Sequence, residues 1–370
     1  MLNLNHFRLF LLFLALSLLL AGCAAKEQLP RFVWPPPPDE PRLEFVGNYS
    51  SEESFEKSAG QLFVKEMLGA RGQATFATPF GIAADGKGVV YISDIHLHNV
   101  RIYDFNQKTV NFLTKNTQMG TPLGLELDSK GNLYIADAAA GKVLVYGPDH
   151  QPLKTFSYQE ELVKPAYLAI DEKRGRLYVS DGVKHKIIVF SLAGDYLFSI
   201  GQHGGDSGMF YSPQGLAIGP DGNLYVADMF NARIQVLTPE GEFIRMFGER
   251  GDQPGQFENP KDLAFDSAGN LHVLEGRRSD LLTFTPEGRI LLITGGGKPD
   301  TSPFGFGAPR SIAIDANDRI YIAEATNKRF TIWQYMGESY LAQKPYTAED
   351  RKALIDYAAK LAAEREKAAK

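Results

Sequence analysis

One acidic residue recurs at the same place in six copies of a single unit: Asp94, Asp137, Asp181, Asp228, Glu275 and Glu324, spaced by 43, 44, 47, 47 and 49 residues. A repeat of this period constrains the fold more than local propensity does, because each copy must be one supersecondary unit that buries its faces against its neighbours. The fullest copy starts at Pro213 and reads Pro-Gln-Gly-Leu-Ala-Ile-Gly-Pro-Asp-Gly-Asn-Leu-Tyr-Val-Ala-Asp, followed by Asn231, Arg233, Ile234, Val236 and Gly241. The other copies start at Pro79, Pro122, Pro165, Pro260 and Pro309.

Within a unit, short apolar runs alternate with turn residues. Ile82 and Ala84 mark one strand, Val90 to Ile92 a second, and Val100, Ile102 and Tyr103 a third. The first turn is written with Asp, Asn and Gly, as in Asp-Ser-Lys-Gly-Asn at 128 to 132 and Pro-Asp-Gly-Asn at 220 to 223. These residues accept the positive φ of tight hairpins. The period suits a four-stranded propeller blade, and no unit leaves room for the helix of about 10–15 residues that a parallel α/β unit needs. The chain is therefore expected to be an all-β, six-bladed β-propeller over residues 42–346, with short helical additions at both ends.

The units resemble NHL repeats, whose Pro-x-Gly-hydrophobic-Ala, Gly-Asn-hydrophobic-Tyr-Val-Ala-Asp and Asn-x-Arg-Ile-x-Val pattern is most complete at residues 201–247. Blade five departs most, with His272 and Leu274 in its second strand and Asp280-Leu281 where other units have Arg-Ile or Lys-Val. For ring closure, Arg42 to Gly47 is similar to the outer strand Glu242 to Gly248, and is expected beside Phe330 to Tyr335. Ser339 to Gln343 competes for the same outer place, so both termini are expected to meet on the last blade. Phe76, Phe210, Phe257 and Phe306, each three residues before a blade's proline, are expected to tuck between blades under glycine-rich loops.

Ahead of the repeats, His6 and Arg8 precede an apolar run from Leu9 to Leu20, then Ala21, Gly22 and Cys23, the only cysteine. The run is too short for a comfortable membrane span and suits a signal peptide over residues 1–22. Leu20-Ala21-Gly22-Cys23 resembles a bacterial lipobox, which implies lipidation of Cys23 and cleavage before it. Several acyl chains would make the attachment to the bilayer effectively permanent. Ala24 after the cysteine, by the same analogy, favours the outer membrane. Residues 23–41, with Pro35 to Pro38, are expected to form a proline-rich tether of polyproline II character. Glu52 to Leu68 carries Phe55, Leu62, Phe63 and Met67 at mixed helical spacing and is expected to be a helical excursion. Thr347 can cap a C-terminal helix over residues 347–370 whose apolar stripe is Leu354, Tyr357, Ala358 and Leu361.

Chemistry is less legible. The six repeated acids share one blade position, so they are expected to hold turns or bind Arg101, Lys142, Lys186, Arg233 and Arg329 at the start of third strands. Propeller lyases distantly related to this repeat place histidines around a central metal. Here His96, His98, His185, His203 and His272 occupy no equivalent position. There is no Gly-x-Ser-x-Gly elbow, phosphate loop or haem motif, and no catalytic residue, metal ligand or cofactor is expected. A net charge of −5 gives no general attraction to nucleic acid.

The variable residue after each repeated proline is Phe80, Leu123, Ala166, Gln214, Lys261 or Arg310. These are expected at the channel entrance, polarised into an apolar and a polar-to-basic half. The partner-binding candidates are Phe80, Leu123, Gln214, Lys261 and Arg310. The expected role is a lipid-anchored scaffold of the bacterial cell envelope that binds a protein or peptide, with the bilayer as second partner through Cys23. The alternative is a metal-assisted lyase or hydrolase in the channel, which requires a cluster of histidines or carboxylates at the axis.

Overall fold

The computed structural model describes residues 29–56, 76–114 and 119–368. Cys23, its leader and most of the Glu52–Leu68 segment lie outside these residues; of that segment, Glu52–Glu56 forms a 3-10 turn. Six antiparallel sheets are arranged around an axis, as a six-bladed β-propeller. Blade one is made of Pro79–Ala84, Val89–Asp94, Asn99–Asp104 and Thr109–Phe112, paired in chain order. Blades two to five follow the same plan. The first strand of each blade touches the first strands of both neighbours, so these six line the central channel.

The alternation expected of half-buried strands is what packs one blade on the next. Tyr91, Val100 and Ile102 of blade one, for example, meet Leu125, Leu133 and Ile135 of blade two in one apolar layer. Each such side chain contributes about 1.5–3 kcal/mol when fully buried. Because every blade has apolar layers on both faces, no blade is stable without its neighbours.

The repeated acids are buried and structural. Asp94 accepts from the backbone N–H of Ala77 and Thr78 at 2.7 and 3.1 Å and from His96 and Leu97 at 3.1 Å. It thereby ties the loop entering its blade to the turn leaving its second strand. Asp137 does the same with Gly120 and Thr121, both at 2.8 Å. In blades four and six the third-strand arginine joins in: Arg233 Nε lies 2.8 Å from Asp228, and Arg329 Nε 2.9 Å from Glu324. The rest of Arg233 donates to the carbonyls of Gly205, Asp206 and Met209, which fastens the long loop before blade four. Lys186 differs, pairing with Glu161 at 2.7 Å rather than with the repeated acid.

Phe76, Phe210, Phe257 and Phe306 are buried between blades, as their spacing predicts. Gly201, at φ +83°, shows why the loop needs glycine: a Cβ there would sit 2.4 Å from the Phe210 ring.

Ring closure falls to the N-terminal strand. Leu43–Tyr49 pairs antiparallel with Arg329–Tyr335, with Phe45 opposite Trp333 and Tyr49 opposite Phe330. Ser339 to Gln343 does not compete for this place, because it lies in the helix Glu338–Gln343. A fifth strand, Val33–Trp34, pairs outside Leu43–Glu44, and the Trp34 indole donates to the carbonyl of Ile293 at 2.8 Å. Part of the proline-rich stretch is thus docked on blades five and six. The C-terminal helix Ala348–Ala368 lays Leu354, Tyr357 and Leu361 on the cluster that contains Phe32 and Phe45.

Glu44, on the closing strand, gathers both termini: Arg31 Nη2 lies at 2.6 Å, the Tyr340 hydroxyl at 2.8 Å and Lys344 Nζ at 2.8 Å. Burial alone would raise its carboxyl, but the bonds from Arg31, Lys344 and Tyr340 hold it below the usual range. No helix among the described residues is long and apolar enough to cross a membrane.

Candidate binding sites at the two ends of the channel

The residues after the repeated prolines do stand at one end of the channel, the end that carries the long loops. Phe80, Leu123, Gln214, Lys261 and Arg310 are half-buried there, and Ala166 is buried. Phe80 packs its ring 5.6 Å from Tyr167, and Gln214 Nε2 donates to Ser212 Oγ at 3.2 Å. Lys261 Nζ lies 3.1 Å from the sulfur of Met229. Burial, followed by repulsion from Arg310, pushes the Lys261 ammonium down to about 8. The Arg310 guanidinium makes no hydrogen bond among the described residues.

One residue past the Met229 that Lys261 contacts, Phe230 belongs to an aromatic group on the same face. Tyr211 and Phe230 are 44% and 50% exposed, with ring centroids 5.0 Å apart. His203 is 5.0 Å from Tyr211, and His185 is 4.5 Å from His203. His185 Nδ1 accepts the Ser212 N–H at 3.0 Å, and burial, then His203, lowers its basicity. His96 is exposed, while His98 Nδ1 bonds the carbonyl of Gly120. Among the described residues, no group of three or more His, Cys, Asp or Glu side chains is placed to hold a metal ion.

The loop end is closed by one side chain. Tyr167 reaches across from blade three, and its hydroxyl donates to the carbonyl of Arg310 in blade six at 2.8 Å. Beneath it lies a cavity of about 300 Å³ lined by the inner strands of all six blades. At the hairpin end its wall is apolar and half-exposed: Ala84, Leu127, Ile170, Ile218, Phe265 and Ile314.

The interior of that cavity departs from the repeat. Opposite the second-strand aromatic, five blades carry alanine, at Ala83, Ala169, Ala217, Ala264 and Ala313; blade two carries Glu126. At the repeat's glycine position, blades three, five and six carry Tyr167, Asp262 and Ser311. Glycine is retained where a neighbouring backbone comes close: a Cβ on Gly81 would sit 2.1 Å from the Leu123 carbonyl oxygen.

Asp262 accepts from Ser311 Oγ at 2.7 Å and from the N–H groups of Ile312 and Leu263 at 3.0 and 2.9 Å. Burial nevertheless raises its carboxyl to about 7. Glu126 has no hydrogen-bond partner among the described residues, and burial, reinforced by Asp262 from the opposite side of the ring, raises it to about 8. In the sequence these residues stand as breaks in otherwise regular columns, one and three places beyond the variable position next to the proline.

The family model of the NHL repeat matches residues 210–237, within the fullest copy. The protein is thus a six-bladed β-propeller carrying an NHL repeat. No curated protein matches the chain. Among solved structures, a protein of unknown function from Bacteroides thetaiotaomicron aligns with TM-score 0.60 at 18% identity, covering 79% of this chain and 75% of the other. A catalytically inactive virginiamycin B lyase from Staphylococcus aureus, solved with quinupristin, gives 0.53 at 14% identity over 72% and 83%. A gluconolactonase from Xanthomonas campestris gives 0.56 at 16% identity over 84% and 99%. At such identities the likeness is one of fold.

Proposed function

We propose that this protein is a lipid-anchored propeller of the bacterial cell envelope whose loop face binds an acidic segment of a protein or peptide partner. The observation that carries the reading is the pair of crowded cations Lys261 and Arg310 at the channel rim, on the face that also exposes the neighbouring rings of Tyr211 and Phe230, with Lys261 reaching Met229 next to Phe230. Two cations that repel each other favour an anion laid between them, and exposed aromatics on the same face provide the anchors typical of binding hot spots. With Tyr167 closing the channel, this rim forms a floor on which a chain segment rests. Anchorage rests on the leader and Cys23, and the outer membrane on Ala24.

The test is crosslinking in membranes from cells that carry the intact protein or the Lys261→Glu, Arg310→Glu double variant. Loss of the partner from the variant, with unchanged blade stability, supports the reading; equal recovery rejects this face. Incorporation of labelled palmitate that disappears on Cys23→Ala checks the anchor.

A second reading, a metal-assisted lyase or hydrolase, draws on the fold shared with the lyase and the gluconolactonase and on the closeness of His185 to His203. It requires metal retained by the purified protein and lost on His185→Ala. Elemental analysis of both forms decides it.

A further inference from the structure

The loop-face reading leaves the cavity behind Tyr167 unused. Its lining combines two features that the repeat does not call for. The first is a carboxylate, Glu126, standing where the five other blades have alanine and making no hydrogen bond among the described residues. The second is Asp262, on the opposite blade, fixed by Ser311 and two backbone N–H groups. Glu126, Asp262 and Tyr167 are the titratable groups on the lining, and no lysine, arginine or histidine is among the lining residues to neutralise the acids.

A carboxyl set in the channel lining without a protein partner costs the fold desolvation energy that alanine would not. Propeller architecture cannot require it, since five blades manage without. What it creates is a floor of two carboxyl groups in a pocket whose mouth is an apolar collar of aliphatic side chains and Phe265. The volume, about 300 Å³, lies at the lower limit of small-ligand sites.

We propose that this cavity is a binding site for a small alkylammonium ligand, entering from the hairpin face with its charged head on Glu126 and Asp262 and its apolar body against the collar. The ammonium supplies the donors that Glu126 lacks, and Asp262 is oriented to share them. The Tyr167 O–H donates to the Arg310 carbonyl, so its oxygen meets a donor in the cavity as an acceptor. A carboxylate or phosphate ligand meets two carboxyl groups and no cation on the lining, and a neutral alcohol brings no charge to hold Glu126 in its ionised form. The site opens at the other end of the channel from the loop face and none of the loop-face candidates lines it, so it stands or falls apart from the partner-binding reading.

Calorimetry on the full-length protein in detergent tests it, with n-hexylammonium chloride as probe and n-hexanol and calcium chloride as controls. Saturable binding of hexylammonium, weakened at least tenfold by both Glu126→Ala and Glu126→Gln and not reproduced by hexanol, is the expected result. Glu126→Ala restores the residue of the other blades, and circular dichroism checks that it is folded. The proposal is overturned by no saturable binding of the amine to the folded wild type, by equal binding by the Glu126 variants, or by hexanol binding as tightly as the amine. Calcium binding that depends on Glu126 while the amine does not bind also overturns it, in favour of a metal site. Partner crosslinking at the loop face is expected to be unchanged in Glu126→Ala, which separates a failure here from a failure there.

Discussion

The hydroxyl of Tyr167 donates to the main-chain carbonyl of Arg310, a bond of 2.8 Å that spans the channel between blades three and six. A hydrogen bond between opposite blades has no counterpart in the repeat, whose residue at the Tyr167 position is glycine. Tyr167→Phe is expected to cost about 1 kcal/mol, the net worth of one buried hydrogen bond plus its orphaned acceptor. Thermal unfolding measures that loss. Tyr167→Gly removes the plug and joins the cavity to the loop end, which a crystal structure of the variant would display as one continuous channel.

Glu126 makes stability fall as pH rises. Its carboxyl titrates near 8 in the folded state and in the ordinary range when unfolded, so the folded chain holds a proton that the unfolded chain releases. That contribution is fully present below the ordinary carboxyl value and is lost as pH rises through 8. Glu126→Ala is therefore expected to be more stable than wild type in alkaline buffer, by roughly 2 kcal/mol once access of water to the cavity is allowed for. Denaturant titrations from about pH 5 to pH 9 should show the two proteins diverging with pH.

Glu44 carries the opposite sign. Its carboxyl is held below the usual range by Arg31, Lys344 and Tyr340, so its contribution is present above the ordinary carboxyl value and is lost as pH falls through the folded value. Glu44→Gln is expected to cost about 1–3 kcal/mol near neutrality, because it leaves partly buried cations without their counter-charge. The gap between variant and wild type should shrink toward zero in acid. Hydrogen exchange at Phe45 and Trp333 reports whether the loss is local to the closing strand.

His272 and Thr283 form a coupled pair. In blades two, four and six a second-strand tyrosine bonds an acid of its own hairpin, Asp128, Asp221 or Asp315. In blade five His272 Nε2 takes that role toward Asp266 at 2.9 Å, and its other nitrogen faces the Thr283 hydroxyl at 3.1 Å. Thr283→Val is expected to cost about 1–2 kcal/mol by leaving a buried imidazole nitrogen unpaired. Combined with His272→Tyr it should cost less than the sum of the single changes, a coupling that a double-mutant cycle would quantify.

Repetition made most of the architecture legible. The six acids announced their role because a residue that recurs at one place in every blade serves the blade, and Asp94 and Asp137 make the turn-binding contacts that this argument implies. The same regularity hid the cavity. Tyr167, Asp262 and Ser311 occupy the glycine column and Glu126 the alanine column, and a pattern read for its consensus treats each as noise. The grouping of His185 with His203 was hidden for another reason: one sits in a turn of blade three and the other in the loop before blade four, and only the curvature of the ring brings them together. The prolines around Phe32 to Trp34 mask a strand, because its pairing with Leu43 and Glu44 needs only two ladder residues and a buried ring.

The seal between Leu43–Tyr49 and Arg329–Tyr335 also imposes an order of events on folding. Phe45 meets Trp333, a residue 288 positions further along the chain. During synthesis Leu43–Tyr49 emerges before any blade and must wait without its ladder partner in Arg329–Tyr335 until the last blade exists. Local hairpins form blades one to five within microseconds to milliseconds, whereas a contact at this separation is reached slowly. Its thermodynamic cost is small, since each doubling of a loop adds only about 0.6 kcal/mol. The exposed edge of Leu43 to Tyr49 is thus the point at which a nascent chain is open to pairing with another copy, and the point a holding chaperone has reason to cover.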